Sequence, residues 1–418
     1  MAIRRRVAVI GAGMVGVCAA SFLRRDGHEV TLVDPNGPGE GTSFGNAGGL
    51  NGASIVPMSM PGMIWNVPKW LTDPLGPLAI RWSYLPFLAP WLIRFLRSGT
   101  PAQVEVQARA LRSLLKPCLE TLLPLAKAAG VEDMIHRRGG LFVYRSRESR
   151  AKDNAGFELR RRHDIACEDL NADEIRQLEP ALSHEYVCGV LIHENAHTVN
   201  PHRLVASLAE AFVRAGGKIT RAKATGYVID GGKLSAVNTD SGEIAADAAV
   251  LAAGIHSRAL AGEAGDKVPL ETERGYHLMI RDPEVTTRIC VADGAGKFVA
   301  TPMETGLRLA GTVELAGLDA PPNWGRARIM LRHGRRMLPG LATNYAEDRL
   351  TMWMGHRPSL PDSLPVIGPS RRSPDIVYAF GHGHVGMAAA PMTGRVIADL
   401  VAGRPPAIDV TPFRADRF

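Results

Sequence analysis

Residues Arg6 to Ile10 form a β-branched apolar run that stops at a glycine. Val15 to Gly27 repeats apolar positions at helical spacing, and Glu29 to Val33 reads as a second strand closing on Asp34. Strand, helix and strand in that order, within about 30 residues, make one parallel βαβ unit. Later segments continue the alternation. Pro201 to Ala215 reads as a helix, Lys218 to Arg221 and Gly226 to Ile229 as short strands, and Asp230-Gly231-Gly232 as a hairpin turn. Ala246 to Ala252 reads as a buried strand closed by Ala252-Ala253-Gly254. Further strands are expected at Gly140 to Tyr144, Tyr276 to Ile280, Lys297 to Thr301 and Leu307 to Thr312. Near the end, Tyr378-Ala379-Phe380 breaks at glycines into a helix through Met392 to Val401. No repeat of solenoid period interrupts this order.

Composition adds bounds rather than a class. The 418 residues suffice for two or three cores, and 45% hydrophobic with 22% charged residues is ordinary globular usage. The 49 Lys and Arg exceed the 42 Asp and Glu, but no basic block is longer than Arg4-Arg5-Arg6 or Arg160-Arg161-Arg162. The excess suits small anions better than nucleic acid. Five scattered cysteines, without a CxxC spacing, point to a reducing compartment with neither disulfides nor structural zinc. Arginines before an apolar run imitate a secretory signal, but glycines interrupt that run at positions with another use.

Gly11, Gly13 and Gly16 fall at the GxGxxG spacing between the first strand and its helix. The first permits a tight turn, the second lets backbone approach a pyrophosphate, and the third lets helix and strand meet closely. Phosphates would sit at the helix start, where the N–H groups of Met14 and Val15 lack intrahelical partners. Asp34 is placed to accept hydrogen bonds from ribose hydroxyls and to repel a 2′-phosphate, which disfavours NADP but does not separate FAD from NAD. Thr42-Ser43-Phe44-Gly45-Asn46-Ala47-Gly48-Gly49 follows at once, with hydroxyls, an amide and exposed backbone where an extended ligand could be gripped again. Ala253 and Gly254 are small enough for close approach to the same cofactor.

Other motifs stand in order behind these: Arg274-Gly275-Tyr276, taken as a turn, Gly355-His356-Arg357-Pro358, the run Pro361 to Gly368, and Gly381-His382-Gly383-His384-Val385-Gly386. With them the chain resembles the glycine oxidase and D-amino acid oxidase superfamily over nearly its whole length, and within it the bacterial D-amino acid dehydrogenases. The resemblance implies an α/β fold: a Rossmann-like FAD-binding domain of the glutathione-reductase type, with an α+β substrate domain built on an antiparallel sheet. It implies non-covalent FAD, its ring between the Asn46 to Gly49 loop and the turn formed by His382, Gly383, His384, Val385 and Gly386. No cysteine follows Cys290 to offer a covalent flavin link.

The resemblance also assigns site residues. Arg357 matches the arginine that grips a substrate carboxylate, and a planar guanidinium suits that task; the alternative is a structural ion pair. Tyr276 matches a tyrosine walling the substrate pocket, or is an amphipathic sheet aromatic with its hydroxyl on water. His382 and His384, two apart, would point the same way in an extended segment. One is expected on flavin or substrate, His384 being the catalytic candidate, and the other beneath the turn. Two histidines alone do not complete a metal site, so no metal is expected. The implied reaction takes a hydride from Cα of a small amino or imino acid to flavin N5, D-proline or hydroxy-D-proline among the candidates, and a quinone or other electron acceptor reoxidises the flavin. Alternatives are a sarcosine or opine-type amine oxidase subunit, or a flavin module without catalysis.

The expected FAD domain is discontinuous, comprising residues 1–57, 196–269 and 355–418, with a substrate domain of 58–195 and 270–354. Met63 to Leu96 concentrates Trp65, Trp70, Trp82, Tyr84, Phe87, Trp91 and Phe95 among prolines. Lys69, Asp73 and Arg81 deny it a membrane-spanning run. The favoured reading is a lid with an aromatic core; the other is a patch resting on a membrane or partner. The expected location is cytoplasmic, with peripheral contact at the inner face of the cell membrane.

Overall fold

A computed structural model describes residues 4–66, 76 and 78–418. Its first sheet has six strands in the order Lys218–Arg221, Glu29–Asp34, Arg6–Ile10, Ala248–Leu251, Ile376–Phe380 and Val366–Pro369, all parallel except the last. Strands buried on both faces must be apolar throughout, as the near-continuous runs in the sequence required. On one face Val7, Val9, Val250 and Val377 meet the helices Met14–Arg25 and Gly386–Val401. Those helices touch closely at Gly394, where a Cβ would lie 2.7 Å from the carbonyl carbon of Cys18. On the other face Ala8, Ile10, Ala249, Leu251 and Tyr378 lie under the meander Ala224–Asp230, Lys233–Thr239 and Gly242–Ala245. The hairpin falls at Asp230-Gly231-Gly232, with both glycines at positive φ.

The second large sheet is mostly antiparallel and runs Leu350–Ser359, Glu271–Arg281, Gly306–Leu315, Phe298–Met303, Cys290–Asp293, Gly140–Tyr144, Cys188–Ile192 and Glu168–Asn171, with Leu78–Ile80 added beside Gly306–Leu315. Its back buries Leu278, Ile280, Phe298 and Leu309 against Met330 and Met337 of the helix Gly325–Met337. Its front turns toward the first domain. A small sheet of Gly49–Asn51, Asn195–Thr198 and Ile135–His136 stitches the two together.

Two expectations change. Arg274-Gly275-Tyr276 is no turn but the middle of the strand Glu271–Arg281, where neighbouring side chains must face opposite ways. The strand Leu350–Ser359 crosses the boundary drawn between 354 and 355, so Gly355 to Ser359 belong to the substrate sheet.

The aromatic segment divides. In the helix Leu85–Arg97, Leu88 and Trp91 are buried against Leu315, and Trp91 stacks on Phe95. Trp65, Trp82 and Phe87 are 84%, 66% and 77% exposed, so a lid with all its aromatics in the core is not what forms. Lys69, Trp70 and Asp73 lie outside the described residues. Among the described residues no helix is long and apolar enough to cross a membrane.

Candidate active site

The glycine turn is built by contacts that only glycine permits. Gly11 has φ +106°, and a Cβ on Gly16 would sit 1.8 Å from the Gly11 carbonyl oxygen. Gly13 caps the helix Met14–Arg25 without a side-chain hydrogen bond, and no acid lies in the first turn, so the positive helix end stays open to an anion. Ser43 has a role the sequence did not disclose: its Oγ accepts the Met14 N–H at 3.1 Å, tying the cofactor loop to the helix start. Asp34 accepts the N–H groups of Ala12 and Asn36, each at 2.8 Å, one on each oxygen. A carboxylate has further lone pairs, so these bonds fix its orientation and leave capacity for ribose hydroxyls. These residues fit an extended dinucleotide.

Beyond Ser43 the loop is clasped by the front of the substrate sheet. Thr42 donates its hydroxyl to the His356 carbonyl at 2.8 Å, His277 Nδ1 donates to the Gly45 carbonyl at 2.9 Å, and Arg308 donates to the Asn46 carbonyl at 2.5 Å. Asn46 Oδ1 in turn accepts the Gly48 N–H at 2.8 Å, turning the chain past Ala47 before Gly49 enters its strand. Trp353 stacks on His277, ring centroids 5.3 Å apart, and covers Gly45. Burial, with the Arg308 charge adding, holds the His277 pKa down to about 3, so the ring is neutral. Just past the strand Ala248–Leu251, the Ala252 carbonyl and Ala253 Cα press against Gly11, and Gly254 opens a short helical turn.

Arg357 lies opposite Glu273 in the ladder, its guanidinium resting over Gly275, where a Cβ would fall 2.3 Å from Cζ. A register shift in Gly306–Leu315 places Thr312 at φ +59° and frees its carbonyl, which accepts from Arg357 at 3.1 Å. Among the described residues Arg357 forms no ion pair, and Glu273 is the charged neighbour across the ladder. Burial lowers its pKa, and Glu273 pushes back. Glu273 is itself buried, which raises its pKa against the opposing effects of Arg357 and the Ser359 hydroxyl.

Tyr276 is not brought to this place. It points to the back of the sheet, donates to Glu314 at 2.5 Å and accepts the Asn323 N–H at 2.9 Å, with Trp324 edge-on. The alternation that puts Gly275 under Arg357 sends both neighbours away, and Arg274 is likewise buried on the carbonyls of Gly317 and Ala320. The two late histidines also diverge, because Gly383 at φ +50° breaks the extended geometry. His382 is buried beneath the turn, bonded to Thr393 Oγ1 at 3.0 Å. His384 stands exposed toward Arg357; surrounding protein first, then that charge, bring its pKa to about 4. The Gly383 N–H is spent on the Pro358 carbonyl, while Val385 and Gly386 open the helix Gly386–Val401 without a side-chain cap or an acid in its first turn.

The sequence reading missed Arg308, Glu273, Thr312 and Trp353. Strict alternation along Glu273, Gly275 and His277 was visible, but the register that adds Arg357, Thr312 and Arg308 was not. A cavity of about 860 Å³ lined by Arg81, Tyr84, His256, Arg258, Leu270 and Glu271 opens elsewhere and includes neither Arg357 nor the cofactor loop.

The profile of a family described as FAD dependent oxidoreductase (DAO) matches residues 6–400. A D-amino-acid oxidase of Bradyrhizobium diazoefficiens is 49% identical over 99% of both chains. A D-amino acid dehydrogenase of Paramagnetospirillum magneticum is 32% identical, again over 99% of both. Among solved structures, glycine oxidase from Geobacillus kaustophilus superposes with a TM-score of 0.76 at 21% identity, covering 99% of each chain, which speaks for the shared fold.

Proposed function

The chain belongs to the FAD dependent oxidoreductase family, and from that premise we propose that it oxidatively deaminates a small D-amino acid or cyclic imino acid, including D-proline and hydroxy-D-proline. One observation carries this reading: Arg357, a half-buried guanidinium with a single backbone acceptor and no ion pair among the described residues, on the sheet face that clasps the cofactor loop. Its remaining N–H groups can donate in parallel to a substrate carboxylate. The names of the 49% and 32% identical relatives support a D-amino acid.

FAD, which the Gly11 to Gly16 turn, Asp34 and the Thr42 to Gly49 loop would hold, would supply a two-electron acceptor for the hydride from the substrate Cα. The protein's share is orientation and electrostatics. Arg357 fixes the carboxylate, and the Thr312 carbonyl fixes Arg357. Buried Glu273 faces the guanidinium across the ladder. Neutral His384 adds no second cation beside Arg357 near pH 7, and the amine reacts uncharged after its ammonium proton has gone to water. The resulting imine leaves for hydrolysis to a keto acid and ammonia, or remains cyclic when the nitrogen is in a ring.

A quinone or similar acceptor would collect the electrons, with the exposed Trp65, Trp82 and Phe87 and the nearby Arg81, Arg94 and Arg97 of the same segment favouring peripheral contact with the inner face of the cell membrane. The oxidase name of the 49% identical relative favours a second reading, with oxygen as acceptor. Anaerobic addition of D- and L-amino acids, D-proline derivatives and N-methyl amino acids, with loss of oxidised flavin absorbance as the signal, tests the substrate. D-substrates should bleach the flavin; selective bleaching by N-methyl amino acids would make it a secondary amine oxidase. Stoichiometric peroxide in air would assign oxygen.

A further inference from the structure

Arg308 carries a charge that the fold does not balance. It extends from the strand Gly306–Leu315 to the front of the substrate sheet and donates to the Asn46 carbonyl at 2.5 Å. Its Nε is buried without an acceptor, and it forms no ion pair among the described residues. Burial, as the sole cause, lowers its pKa to about 10, still charged at neutral pH. Any neutral donor could hold one carbonyl, whereas an unpaired cation taken out of water is costly to keep. Retaining a guanidinium makes physical sense if an anion forms beside it. Arg357 is held over Gly275 by the Thr312 carbonyl, whereas Arg308 is held by the carbonyl of Asn46, on the loop that would carry the flavin ring. The anion that would form beside that loop is the reduced flavin. Taking up two electrons and one proton leaves its ring with one added negative charge.

We propose that Arg308 is the fixed cation that stabilises the negative charge the flavin gains on reduction, acting from beside the Asn46 to Gly49 loop and not on substrate. The role rests on FAD binding alone, so it stands or falls separately from the D-amino acid reading.

The test therefore uses sulfite, which forms an N5–S bond with oxidised flavin by giving its sulfur lone pair, leaving the negative charge on the ring. Wild type, Arg308→Gln and Arg308→Lys are compared at saturating added FAD for sulfite Kd and two-electron midpoint potential. Gln keeps a donor for the Asn46 carbonyl without the charge, and Lys keeps the charge without the planar fork. Arg308→Gln should bind sulfite at least tenfold more weakly, and a tenfold weaker preference for reduced over oxidised flavin would lower the potential by about 30 mV. Arg308→Lys should stay within threefold of wild type. Equal losses in both variants, or no change in Arg308→Gln, would overturn the proposal. So would an Arg308→Gln protein that takes up no FAD, because the residue would then serve only to hold the loop.

Discussion

The glycine turn at residues 11–16 and the front of the strand Glu271–Arg281 both meet the loop from Thr42 to Gly49, but they reach it by different constructions. The turn is assembled from neighbours in sequence, and its parts are backbone: Gly11 against Gly16, the open helix end at Gly13, the Asp34 carboxylate on the Ala12 N–H. The sheet face is assembled across three strands, and its parts are side chains: Arg357 over Gly275, His277 on Gly45, Arg308 on Asn46. The first construction tolerates almost no added atom. The second tolerates side-chain changes in folding terms, while chemistry depends on which side chain is there.

The largest effect should come from Gly16→Val. Its Cβ would overlap the Gly11 carbonyl oxygen at 1.8 Å, in a place where only backbone could give way. Overpacking of that severity should cost more than about 3 kcal/mol and abolish FAD retention. Thermal melting and the flavin absorbance of the purified protein check this; a holoprotein with near wild-type Tm would show the turn to be looser than its contacts imply.

Tyr276→Phe sharpens the contrast within one strand. The hydroxyl is buried between Glu314 and the Asn323 N–H, so its removal should cost about 1–3 kcal/mol of stability. Because the ring faces away from Arg357, kcat/KM should stay within threefold. A drop of tenfold or more at unchanged Tm would return Tyr276 to the substrate pocket.

Those two sites show what could be read in advance. GxGxxG, the terminal acid and the loop behind it are local patterns whose spacing already encodes the geometry, and the first sheet follows from them. In Arg274-Gly275-Tyr276 the residues were noticed but not the face each one takes, because a strand flips faces at every residue and only pairing decides which face is inside. Tyr276 and Arg274 went one way and Gly275 the other. The bulge at Thr312 adds a residue that no local pattern marks, and it frees the carbonyl that orients Arg357. In His382 and His384, one glycine at positive φ separates the two side chains, and only the fold shows that His382 is the one beneath the turn.

A further effect should appear with pH. His277 and His382 both titrate near 3 in the folded chain, against about 6.5 when unfolded. Above pH 6.5 both states are neutral at these rings and their contribution is complete. Below it the unfolded chain takes up protons that the folded one refuses, so stability is lost progressively as pH falls toward 3. Tm should decline from pH 6.5 to 4, and His277→Asn, which can still donate to the Gly45 carbonyl, should flatten that slope. An unchanged slope would mean the clasp at Gly45 is not protonation-sensitive.

The central claim is that Arg357 holds a substrate carboxylate. The most direct measurement pairs the best amino acid substrate with its carboxamide, on wild type and Arg357→Met with equal FAD content. Wild type should favour the carboxylate by at least about a hundredfold in kcat/KM, since a charged bidentate contact is worth several kcal/mol in the transition state. Arg357→Met should lose most of that preference, falling on the carboxylate while hardly changing on the amide, and Arg357→Lys should recover part of it. An Arg357→Met enzyme that still prefers the carboxylate a hundredfold would contradict the assignment.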